Sequence, residues 1–210
     1  MATPIHTIPN WVPNKINPKI LFITENYPGD PNDKFNNSYF YRSLHPTITR
    51  NKPNNLLNNL CTTLGIHAAD EPSKLDQFMN KKEYFLIDSF PHNSPMNKDL
   101  INKTIHNSKW IDQLIDDIVN LNPKQIIFTC LGSNGKLLPK LQERAAQRGI
   151  KILDRIVSPI SVTIPTKVFR SPSNRWIHDQ KRKKRNGGEI TYQGFTTQIW
   201  NAIQSGKLIP

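Results

Sequence analysis

Four short β-rich runs punctuate the chain, at Ile20–Thr24, Tyr84–Asp88, Gln125–Cys130 and Lys167–Arg170, and a fainter fifth candidate lies at Ile150–Leu153. Their length and their content of β-branched and aromatic residues predict strands. Between them the apolar residues recur at helical spacing. The clearest case is Ser108–Leu121, where Trp110, Ile111, Leu114, Ile115, Ile118 and Val119 share one face and Asp112, Asp116 and Asp117 keep the other polar. Asn54–Leu64, Asn134–Arg148 and Thr196–Gln204 are further helix candidates. Alternating strands and helices predict an α/β fold, a three-layer sandwich with a central, mostly parallel four-stranded sheet flanked by helices. In such sheets ligands bind beyond the carboxyl ends of the strands. Four loops lie there: Glu25–Asn32, Ser89–Asn97, Leu131–Asn134 and Ser171–Trp176.

A length of 210 residues suits one domain. Residues 1–18, with Pro4, Pro9, Pro13 and Pro18, read as an extended lead-in over the surface, and 19–210 as the single domain. The run KRKKRNGG, Lys181–Gly188, is too polar to pack and reads as a basic loop. Composition then adds a partner. The 28 Lys and Arg against 16 Asp and Glu give a net charge of +12, which favours a polyanion such as nucleic acid or a lipid surface, the plain alternative being a merely soluble basic protein. The N-terminus has no apolar run of the kind a signal peptide or membrane span needs, so a cytoplasmic protein with no membrane partner is expected. Cys61 and Cys130 sit in apolar segments and read as buried free thiols. No metal-ligand spacing and no phosphate-cradling Gly-rich loop occurs, so neither metal nor cofactor is expected and a nucleotide enzyme is disfavoured.

Several segments resemble the uracil-DNA glycosylase superfamily. ILFITENYPGD is similar to its first motif, a strand ending in a Gly-x-Asp/Asn-Pro or Gly-Glu-Ala-Pro-Gly loop. NSYFYRSL resembles the aromatic segment that follows, and LNPKQIIFTCLGSNG the hydrophobic strand closed by Leu-Gly. VFRSPSNRW occupies the place of the second motif, His-Pro-Ser-Pro-Leu-Ser. The matches come in family order over most of residues 19 to 176. Thr24 stands where the family has Gly, Tyr27 precedes Pro28, and Ser171 replaces the motif's His.

The resemblance implies a monofunctional DNA glycosylase with DNA as partner, acting as a monomer without cofactor. Asn26 and Glu25 are then the catalytic candidates: Asn26 can orient water through its carbonyl, and Glu25 can act as a base or stabilise a cationic sugar. Both residues also suit a plain turn or local cap. At the end of the second run, Asp88 stands where uracil readers of the family have Asn. A carboxylate offers acceptors only, which suits the amino group of cytosine, so a cytosine-type base is expected; a strand-end cap is the plain alternative. Such a base leaves poorly unless protonated, and Ser171, Arg170 or Arg175 can supply a donor. His92 and His178 fall away from the motif's His position.

Phe40 and Tyr41 can stack an extruded base or simply pack the core, and Tyr27 can wall the pocket. Arg175 and Trp176 match the loop whose side chain fills the space left by the flipped base, with core packing the alternative for Trp176. Ser133 with Asn134, Ser171 and Ser173 can bind phosphates, and Lys181, Arg182, Lys183, Lys184 and Arg185 would add salt-sensitive attraction to the backbone. Within the class, uracil or mismatch repair is the alternative; outside it, a non-catalytic nucleic-acid-binding module on the same fold. A hypermodified viral cytosine as substrate would make the chain an antiviral defence factor.

Overall fold

The computed structural model describes residues 12–13, 17–25, 39–45, 47, 53–90, 98–129 and 134–157. Within them β1 (Ile20–Thr24), β2 (Tyr84–Asp88) and β3 (Gln125–Phe128) form one parallel sheet in the order β2-β1-β3. All five residues of β1 and of β2 are buried. Continuous apolar runs of this kind fit strands of a parallel sheet covered on both faces. The register sets Thr24 opposite Asp88 on one side of β1 and Ile23 opposite Phe128 on the other. Since the chain passes from β1 to β2 and then back across to β3, the strand order reverses at β1.

The strand expected at Lys167–Arg170 and the helix expected at Thr196–Gln204 lie outside the described residues. Ile150–Leu153 is not a strand. The chain makes a 3-10 turn at Ile152–Arg155, and then an isolated parallel bridge joins Ile156 to Ile126 on the edge of β3 away from β1. Ile150, Leu153 and Ile156 all face the core, and a spacing of three is the spacing of a 3-10 turn rather than of a strand.

The helices are α1 (Asn55–Thr63), α2 (Glu71–Asp76), α3 (Lys98–Ile105), α4 (Ser108–Leu121) and α5 (Asn134–Gln147). The α1 start is fixed by Asn54, whose side chain accepts from the Leu57 N–H while its amide donates to Tyr39 O and Phe40 O (3.0 and 2.9 Å). The α2 start is fixed by Asp70 on the Ser73 N–H, with Pro72 in the first turn; a wider π turn at Gln77–Lys81 then brings Phe78 and Met79 into the core. Neither α2 nor α3 was expected: α2 buries only Leu75, and α3 is a short helix of eight residues. Asn122, in the left-handed conformation, ends α4. One helix group is formed by α1 and α2, and a second by α3, α4 and α5. Arg144 of α5 and Arg148 just after it pair with Asp112 and Asp116 of α4, and the Arg144 hydrogen bond holds the Asp112 carboxyl below its usual range.

Residues 1–18 are not wholly a surface lead-in. Val12 is buried in the core, and the Asn17 N–H donates to Leu121 O at 2.7 Å.

Before α1, Tyr39, Phe40 and Tyr41 enter the core and lead into a 3-10 turn at Arg42–Leu44. The Tyr41 hydroxyl accepts from the Leu86 N–H (2.7 Å) and donates to Leu86 O (3.0 Å). It thus occupies backbone groups on the side of β2 turned away from β1, an edge that would otherwise be open to pairing. Next along the chain, the fully buried Arg42 pairs with Glu71 through two hydrogen bonds, and Glu71 also accepts from the Asn54 N–H at 2.9 Å.

Candidate functional site

The carboxyl ends of the three strands are tied together by one side chain. Asn134, the first residue of α5 and fully buried, donates through Nδ2 to Thr129 O (2.7 Å), Ile23 O (3.2 Å) and Thr24 O (3.3 Å). Its Oδ1 faces the Ser89 hydroxyl, which lies between Asn134 and Thr24 O (2.8 Å) and can donate to either. Trp110 of α4 donates from Nε1 to Ser89 O at 2.8 Å. The ends of β1, β2 and β3 therefore share one network, at the point where the strand order reverses. This is the position at which doubly wound sheets bind ligands.

Two carboxyls stand at this end. Asp88 closes β2 and is buried, with the Thr24 hydroxyl donating to its Oδ1. Glu25 follows β1 directly and is half-buried. The Glu25 carbonyl accepts from the Phe90 N–H at 3.0 Å, and among the described residues no donor is bound to its carboxylate. Burial pushes Asp88 up to about 7; the Thr24 hydrogen bond opposes this and the negative charge of Glu25 adds to it. No cation pairs with Asp88 among the described residues. Near neutrality its carboxyl is accordingly shared between an acceptor-only anion and a neutral acid that can also donate.

Among the described residues the Asp88 side chain binds the Thr24 hydroxyl and no backbone N–H; the segment 91–97, which a strand-end cap would serve, lies outside them. Phe40 and Tyr41 require correction. They are 2% and 1% exposed, and Phe40 packs edge-on against Tyr41 and Phe78 with ring centroids 4.9 and 5.2 Å apart. With both rings in the core, no face is left for a base to stack on; the packing alternative holds. The Asn134 side chain clamps the strand ends. Asn26, Tyr27, His92, Ser133, Arg170, Ser171, Ser173, Arg175, Trp176, His178, the run Lys181–Arg185 and Cys130 lie outside the described residues. Cys61 is buried, and burial pushes its thiol up to about 12, which leaves it unreactive at neutral pH.

Thr24 and Ser89 were missed by the sequence reading. Thr24 was visible as a departure from a glycine, and Ser89 as a polar residue directly after an apolar strand, but the contacts Thr24 makes with Asp88 and with Ser89 span more than sixty residues of chain. Among the described residues no cluster of His, Cys, Asp or Glu is arranged to hold a metal ion, and no helix is long and apolar enough to cross a membrane.

Comparison of the chain with protein-family models, with curated proteins and with solved structures finds no match in any of the three.

Proposed function

We propose that this protein is a monofunctional DNA glycosylase that hydrolyses the bond between the sugar and a flipped-out, cytosine-type base, leaving an abasic site. The observation that carries the reading is the pair of carboxyls, Glu25 and Asp88, at adjacent carboxyl ends of the parallel sheet. Glycosidic hydrolysis needs one group at the sugar and another at the base, because the transition state develops positive charge on the first and negative charge on the second. Glu25, continuous with Asn26 in the chain, serves the sugar and the attacking water. Asp88 serves the amino edge of the base. The ordered resemblance of the motifs to the uracil-DNA glycosylase superfamily supports the same assignment, with the net charge of +12 favouring DNA as partner.

The fold this reading requires is a four-stranded, three-layer sandwich with Lys167–Arg170 as the fourth strand. A hypermodified viral cytosine as substrate would give the chain a defence role.

The test is to incubate the protein with duplexes carrying cytosine, glucosylated hydroxymethylcytosine, uracil and a thymine mismatch, and then to cleave abasic sites. Release of a cytosine-type base is the expected result. Release of uracil or mismatched thymine alone would assign the chain to ordinary repair. Absence of abasic sites on every duplex, with DNA still bound, would make it a non-catalytic nucleic-acid-binding module.

A further inference from the structure

The amino edge of cytosine presents a donor, the exocyclic amino group, beside an acceptor, ring N3. A carboxylate answers only half of that pattern and sets its own lone pairs against those of N3. A neutral carboxyl answers both halves. We propose that Asp88 is the acid of this site: its neutral carboxyl accepts through Oδ1 from the amino group of the base and donates its proton from Oδ2 to ring N3, with Thr24 as the positioning residue that fixes the proton on Oδ2. This rests on the glycosylase reading above.

The placement of the proton follows from the hydrogen bonding. The Thr24 hydroxyl has one proton, and Asp88 Oδ1 is its nearer acceptor, the Ile87 carbonyl standing at 3.4 Å. An oxygen that accepts from a hydroxyl is the carbonyl oxygen of a neutral acid, so the proton is left to Oδ2. Oδ1 keeps a second lone pair for the amino group of the base. The titratable groups that face Asp88 among the described residues favour the neutral form. Glu25, beyond β1, adds negative charge; Tyr41, from the core segment before α1, is itself kept neutral, its phenol held well above the usual range chiefly by burial. The departure from glycine at position 24 thereby acquires a role, since glycine has no hydroxyl to place the proton.

In the reaction the C1′–N1 bond breaks and its electron pair passes to the base, while N3 takes the Asp88 proton, so the base leaves neutral. Water adds its oxygen to C1′, and the proton it loses goes to Glu25. Asp88 ends as the carboxylate and Glu25 as the acid, and exchange with solvent restores both. Sugar, base and water balance without any further reactant.

The experiment measures the rate of abasic-site formation on cytosine-type and uracil duplexes from about pH 5.5 to about pH 8.5, for wild type, Asp88→Asn, Thr24→Val and Thr24→Ser, each checked for folding by circular dichroism. The wild-type rate on the cytosine-type duplex is expected to fall about tenfold per pH unit above neutrality. Asp88→Asn, which can hydrogen-bond but not protonate, should lose about 100-fold or more on that duplex and show no such fall. Thr24→Val should shift the descending limb, and Thr24→Ser should restore it. A wild-type rate on the cytosine-type duplex that is independent of pH and unchanged in Asp88→Asn overturns the proposal while leaving the glycosylase reading intact; release of uracil alone overturns the proposal and makes the chain an ordinary repair glycosylase. No abasic sites on any duplex overturns both.

Discussion

Thr24 and Asp88 stand opposite each other at the last paired position of β1 and β2, with the hydroxyl of the first donating to the carboxyl of the second. The contact stabilises the ionised form of Asp88, but burial and the neighbouring Glu25 outweigh it and push the group up to about 7. An ordinary aspartate in the unfolded chain titrates near ~3.9. Between those values the folded state holds a proton that the unfolded state has lost, so stability falls as pH rises through the window. The loss is at most on the order of 4 kcal/mol. Asp88→Asn removes the titration. In urea denaturation the wild type should lose more stability than the variant between about pH 4.5 and about pH 8; equal losses would contradict a raised Asp88.

Asn134 is expected to be the most sensitive polar position at the strand ends. Truncation in Asn134→Ala leaves Thr129 O, Ile23 O and Thr24 O without this donor. Ile23 O and Thr24 O keep the Thr129 and Ser89 N–H groups as donors, so the cost is that of one lost buried hydrogen-bonding group, about 1 to 3 kcal/mol. In a chain of this size that lowers Tm by roughly 3 °C or more. Differential scanning calorimetry measures it, and a Tm within a degree or two of wild type would show that the clamp contributes little.

Tyr41→Phe keeps the ring and removes the hydroxyl that serves both backbone groups of Leu86. A cost of about 1 to 3 kcal/mol is expected, with little change in the aromatic packing. Hydrogen exchange locates the effect: the Leu86 amide should exchange faster, whereas amides of β3 should follow only the global stability.

The Arg42–Glu71 pair predicts an asymmetry. Glu71→Ala removes the carboxylate that pairs with a guanidinium whose side chain is 1% exposed and should cost about 3 to 5 kcal/mol. Replacing both members with apolar residues of similar size should recover most of that loss. Chemical denaturation of the single and double variants decides the point; a double variant no more stable than the single one would mean that the pair is worth more than its desolvation.

Much of the scaffold was legible because local pattern is enough to specify burial. The run ILFIT is apolar on both faces, which only a strand covered on both sides accommodates, and it is β1. The stripe through Ser108–Leu121 gives α4 with the same boundaries, and Asn54–Leu64 encloses α1 between Asn54 and Leu64 at its two caps. Sparse stripes such as α2 escape this logic, although Asp70 and Pro72 signal its start. Ile150–Leu153 escapes it for a different reason: in so short a segment, period two and period three cannot be told apart.

By itself, then, the amino-acid sequence determined three parallel-sheet strands, three of the helices and the loops at which chemistry could gather. It could not determine what each buried side chain meets there. Phe40 and Tyr41 are aromatic whether they stack a base or fill a core, and only the packing against Phe78 and the edge of β2 decided for the core. Asp88 is an ordinary aspartate in the chain. Register with Thr24, proximity to Glu25 and removal from water change its proton affinity, and those conditions arise only when segments more than sixty residues apart are brought side by side.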